Sequence, residues 1–149
     1  MTDLVLAIAH HLLVFALAAI LAFELAMIRS GLAGASLKRL GVIDLHYGMV
    51  AGLILAVGFA RVFLGAKGPD AYLGNWVFWA KIAAFLVVGM LSVQPTIRIA
   101  GWRRAAKAEP AFALTAEQAA SVRGFIVAEL AIFTLIPAFA AAMARGYGL

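Results

Sequence analysis

The stretch LVLAIAHHLLVFALAAILAFELAMI, residues 4–28, decides what kind of protein this is. It is apolar over about seven helical turns, and at ~1.5 Å per residue it is long enough to cross a hydrocarbon core ~30 Å thick. Only His10, His11 and Glu24 interrupt it. An acid at the centre of a membrane helix costs ~2.5–3.5 kcal/mol on insertion scales, and more on physical estimates. These side chains must therefore face protein, water or a ligand. His10 and Glu24 fall within ~40° of one another on the helix surface. His11 and Arg29 fall on a neighbouring face. A bundle has to form around these groups, and its other helices should carry their partners.

Composition extends this reading to the whole chain. Of 149 residues, 66% are apolar and only 13% charged, against ~25% charged in an average soluble domain. The mean hydropathy of +1.05 agrees. One integral membrane domain is expected over residues 1–149, with the lipid bilayer as its surroundings. The absence of cysteine excludes disulfides, thiolate metal sites and thiol catalysis. A pI of about 10.1 would suggest nucleic acid in a soluble protein. In a membrane chain the positions of the charges matter more, and no nucleic-acid partner is expected. Met1-Thr2-Asp3 leads straight into apolar sequence with no positive n-region, so the first segment is expected to be a retained helix.

Three further apolar segments follow, near 42–64, 73–97 and 122–144. Thr115 with Gln118 is a capping-box pattern, and Glu117 lies in its first turn, which moves the start of the fourth helix to about 115. Gly68-Pro69-Asp70 marks a turn. The fold class predicted is an all-α membrane protein, a four-transmembrane-helix up-down bundle without β structure. Arg29, Lys38, Arg39, Arg98, Arg103, Arg104, Lys107 and Arg123 gather at one side. Arg61, Lys67, Lys81 and Arg145 fall on the other. The positive-inside rule then places both termini in the periplasm of a bacterial inner membrane. Tyr72, Trp76 and Trp79 suit an aromatic belt at that outer surface. Gly48 and Gly52 form a GxxxG, which is expected to pack within the bundle, with a homodimer seam as the alternative. Pro137 should kink the last helix.

Depth sorts the intramembrane polar groups into two layers. His10 and His11 lie ~10 Å below the outer surface, Lys81 at a similar depth and Arg61 nearer the rim. If all are charged they repel one another, and an anionic guest would relieve this. A porphyrin suits them: His10 or His11 supplies an axial ligand, Lys81 and Arg61 receive the propionates, and Phe15, Phe59 and Phe85 flank the ring. A quinone or an anionic lipid head group is the alternative guest. The inner layer holds Glu24, Asp44, His46, Gln94 and Glu129. Its plain reading is acids paired with Arg29, Arg98 and Arg123. Its functional reading is a proton or metal site made of Glu24, His46 and Glu129. No nucleotide-binding glycine loop or Ser-His-Asp order supports hydrolysis.

The chain resembles a family of small four-helix bacterial membrane proteins catalogued as a domain of unknown function. The carriers are His10-His11 with Glu24, Asp44 with Tyr47-Gly48 and Arg61, Trp79-Ala80-Lys81, Gln94-Pro95-Thr96, and Glu129 with Met143-Ala144-Arg145-Gly146-Tyr147-Gly148. More distantly, the early His, the Trp79-to-Lys81 start of the third helix and Glu129 are similar to the four-helix protoporphyrinogen oxidases that bind haem b. The basic-aromatic-His end of the first helix in that family is absent here, and Pro137 lies too far beyond Glu129. The resemblance implies porphyrin binding, in electron transfer or tetrapyrrole handling. The competing expectation is an accessory subunit of a larger membrane complex.

Overall fold

Helices carry almost all of residues 1–66 and 68–148, which the computed structural model describes. Lys67, which the sequence reading counts among the cations of the outer side, and Leu149 lie outside the described residues. The order is α1 (Thr2–Met27), α2 (Gly34–Leu64), a short α3 (Asp70–Leu73), α4 (Trp76–Ala108), α5 (Ala116–Phe133) and α6 (Leu135–Ala144). α5 and α6 together form the fourth span, and all four spans are long and apolar enough to cross a membrane. Large apolar side chains point outward: Phe15 is 70% exposed, Met90 65% and Leu86 57%. Such a surface is ruinous for a protein in water and ordinary for one in lipid.

α2 begins well before the apolar stretch at residue 42, and α4 runs past residue 97 to Ala108. Hydropathy reports only the part of a helix that sits in lipid. The 31 residues of α2 span ~46 Å, more than a ~30 Å core requires. The surplus turns bury Leu37, Leu40, Ile99 and Trp102 outside that stretch.

α1 packs on α2 and α5, and α4 packs on α2, α5 and α6. The four spans therefore form a ring in chain order. Asp3 lies against Gly65, and Gly148 against Asn75, so both termini share an end with the α2–α4 connection. We call this the terminal end and the opposite one the basic end. At the basic end the two connections clasp each other. Gly31 N–H donates to Leu114 O at 2.9 Å, and Leu114 N–H to Leu32 O at 3.0 Å. The Ala33–Ala113 bridge between them is the one β feature among the described residues. Arg123 donates to the carbonyls of Leu25 and Ile28, placing a cation at the negative end of α1.

The helix boundaries have local causes. Thr115 and Gln118 complete a reciprocal capping box, as the sequence suggests. Asn75 Oδ1 accepts from Val77 N–H and Phe78 N–H and starts α4. The break between α5 and α6 falls at Thr134. Pro137 lacks the N–H that Phe133 O would otherwise receive, and its ring crowds that carbonyl. Thr134 Oγ1 meanwhile donates to Ala131 O at 2.7 Å, which favours a bend.

The GxxxG expectation is corrected. Gly48 and Gly52 are exposed, and a Cβ on either would meet nothing within 4 Å. Gly58 is the one that packs inside, against the His10 ring. The period of α2 turns the first two glycines to the outer face of the ring.

Candidate functional site

Two polar groups stand apart along the bundle, one toward each end. Toward the terminal end, α1 turns His10 inward. His11, one residue on, is exposed and its Nδ1 sits 2.7 Å from Ala7 O. His10 Cε1 lies 3.3 Å from where a Cβ on Gly58 would stand, so glycine is what lets the ring approach α2. Arg61 follows on α2 about one turn nearer the terminal end. Lys81, on α4, holds its ammonium 5.3 Å from the centre of the Phe78 ring. Both cations lie within electrostatic range of His10.

His10 Nδ1 and Arg61 Nε are buried and have no hydrogen-bond partner. Buried polar atoms are nearly always paired, so two orphans at one site call for an explanation. Two spaces adjoin them. One is a chamber of about 60 Å³ lined by His10, Gly58, Phe59, Lys81 and Phe85. The other is a vestibule of about 340 Å³ lined by Arg61, Tyr72, Asn75, Lys81 and Gly146. Lys81 borders both. The arrangement offers a charged mouth for an acid group and an apolar recess behind it.

The vestibule depends on a feature that residue types alone do not announce. Asn75 Nδ2 donates to Tyr147 O at 3.0 Å, and Trp76 N–H to Gly148 O at 3.3 Å. The C-terminal tail is thus docked on the start of α4. Gly148 has φ +94°, and a Cβ there would collide with Asn75 Oδ1. Only glycine fits that approach. The run Arg145-Gly146-Tyr147-Gly148 contains the signal, two glycines around an aromatic.

The residues fit part of a haem and not the whole. His10 offers one unpartnered ring nitrogen, and Lys81 with Arg61 suits two carboxylates. The chamber, however, is less than half the ~150 Å³ that admits a single benzene ring. His11 turns away from it, and Phe15 points out of the bundle. Phe59 and Phe85 do line the chamber. The macrocycle has no slot in this arrangement.

Toward the basic end, Glu24 and Glu129 are 2% and 1% exposed. Tyr47 O–H donates to Glu129 Oε2 at 3.1 Å, joining α2 to α5 from opposite corners of the ring. Asp44 and Glu129 lie within electrostatic range of Glu24. Asp44 Oδ1 accepts from Thr96 Oγ1 at 2.7 Å. The expected acid–arginine pairs are not seen among the described residues: Arg98 donates to Ser121, Arg123 caps α1, and Arg29 is exposed. Arg103 lies across Gly41, where a Cβ would collide with its side chain. Tyr47 was the missing partner in the sequence reading, because a lone tyrosine in an apolar helix is indistinguishable from core.

His46 does not join Glu24 and Glu129. It is exposed, its Nδ1 2.7 Å from Val42 O, and it lines an open groove with Ala19 and Phe23. Among the described residues no three His, Asp or Glu side chains are grouped to hold a metal ion. His46 and Glu129 sit on different faces of their helices, which spacing along one chain does not reveal.

No curated protein and no solved structure matches the chain, so the likeness to haem-binding protoporphyrinogen oxidases stands without support. A family model does match, over residues 2–148, and its description agrees with the four apolar spans. The chain belongs to that family, described as predicted membrane protein, DUF2214.

Proposed function

We propose that this membrane protein binds an anionic amphiphile at its terminal end. The acid group lies between Lys81 and Arg61, and the apolar chain runs out past the exposed Phe59 toward lipid, since the chamber of about 60 Å³ holds at most its first few atoms. The observation that carries this reading is the pair of buried, unpartnered nitrogens, His10 Nδ1 and Arg61 Nε, beside an apolar chamber. An anion supplies the acceptor that the Arg61 Nε–H lacks, and an acceptor for His10 Nδ1 when that nitrogen carries the proton. The charge bias of the connections favours a bacterial inner membrane with this end in the periplasm. Tetrapyrrole handling is a narrower form of the reading, in which propionates are the acid group and the chamber must widen to meet the ring.

Thermal unfolding in detergent tests it with oleate, oleyl alcohol and haemin as probes. A ligand at a hundred times its Kd stabilises the folded state by ~2.7 kcal/mol. Oleate should raise the midpoint, the neutral alcohol should not, and Lys81→Gln with Arg61→Gln should abolish the gain. An equal shift from the alcohol, or none from oleate, overturns the proposal. A Soret band with haemin that His10→Ala removes supports the tetrapyrrole form; protein that stays colourless dismisses it.

A further inference from the structure

Glu24 and Glu129 raise a separate question, because nothing at the terminal end uses them. Each is almost wholly buried, and each keeps one carboxyl oxygen, Oε1, with no hydrogen-bond partner. A bare carboxylate in a low-dielectric interior is strongly disfavoured unless donors or a cation meet it. Two such groups in electrostatic range of each other, with Asp44 beside them, compound the penalty.

Among the described residues, no cation is bonded to either glutamate. α1 contributes Glu24 itself. α2 contributes Asp44 and Tyr47, an acid and a neutral phenol. α4 contributes Ser92 beside Tyr47, Thr96 bound to Asp44, and Arg103 in range of Asp44. Its Arg98 is bound to Ser121, and Arg123 of α5 is bound to the carbonyls ending α1. A divalent metal lacks the three ligands it needs among the described residues.

We propose that Glu24 and Glu129 form a proton-binding site. In the bundle the pair carries a proton rather than two negative charges, and Tyr47 fixes the Glu129 carboxyl in place. Asp44 lies one turn before Tyr47 on α2, in electrostatic range of Glu24, and is half-buried, so it is the group through which the proton reaches solvent. The site is independent of the amphiphile reading and stands or falls without it.

Infrared difference spectroscopy of the full-length protein in detergent at neutral pH tests the site. The expected result is a carboxylic C=O band that shifts in ²H₂O and shifts again when glutamate is ¹³C-labelled. Glu109 and Glu117 are exposed, so a protonated glutamate at neutral pH belongs to the buried pair. Glu24→Gln with Glu129→Gln should remove the band. If that variant does not fold, the labelled wild-type protein decides the matter alone. No glutamate band at neutral pH, at low or high sodium chloride, overturns the proposal. Asp44→Asn should keep the band and slow its shift in ²H₂O at least tenfold; an unchanged rate removes Asp44 from the exchange route.

Discussion

Tyr47 and Glu129 show how one hydroxyl can tie distant parts of a membrane bundle. The bond spans α2 and α5, and both partners are buried. Removing the hydroxyl leaves Glu129 Oε2 without its donor, and a buried unsatisfied polar atom costs ~1–3 kcal/mol. Tyr47→Phe should therefore lower the thermal midpoint in detergent while helix content by circular dichroism stays the same. An unchanged midpoint would show that the bond contributes nothing net. Lys81 behaves differently, because its neighbours are a ring face and two open spaces rather than a bonded partner. Lys81→Gln should leave stability within ~0.5 kcal/mol of wild type in the absence of a ligand, the usual range for a substitution that breaks no bond. A large loss would mean that Lys81 serves the fold.

At the scale of elements, the start of α4 and the last span each depend on one residue. Asn75 caps α4 through Oδ1 and holds the tail through Nδ2, so one side chain serves two segments. Asn75→Ala should cost ~0.5–2 kcal/mol from the cap alone. It should also free the tail, seen as faster cleavage after Tyr147 by chymotrypsin; a tail that stays protected would show that Trp76 N–H suffices to dock it. Pro137 governs the other case. Pro137→Ala restores the N–H that Phe133 O lacks, and should raise hydrogen-exchange protection across residues 134–137. Unaltered exchange there would assign the break to Thr134 instead.

For the molecule as a whole, the ring of four spans sets which connections share an end. The chain has no cysteine, so single cysteines report cleanly. Ala35→Cys and Asp70→Cys should react with a membrane-impermeant maleimide from opposite sides of the membrane. Labelling of both from one side would overturn the arrangement. The two polar groups then lie at different depths, with His10 and Glu24 ~21 Å apart along α1. Leu17 and Leu21 fill the interval on that face and are almost fully buried. The bundle accordingly holds two polar groups separated by an apolar plug.

The number of spans was legible in the sequence, because crossing lipid demands length and apolarity that can be counted residue by residue; the ends of α2 and α4 were not, because they run beyond the lipid. The two polar layers were legible for the same reason, since depth follows from position along a helix. The capping box at Thr115 was also local, needing only two side chains three residues apart. Tertiary structure alone decided that His10 rather than His11 faces inward, since adjacent residues differ by 100° and either face of α1 could have met α2. It decided that Gly48 and Gly52 face outward, that His46 stands apart from the two glutamates, and that Tyr47 reaches Glu129. Each of these depends on how far one helix is rotated against another. That rotation is set by the sum of side-chain contacts across the whole bundle, and no single stretch of the chain contains it.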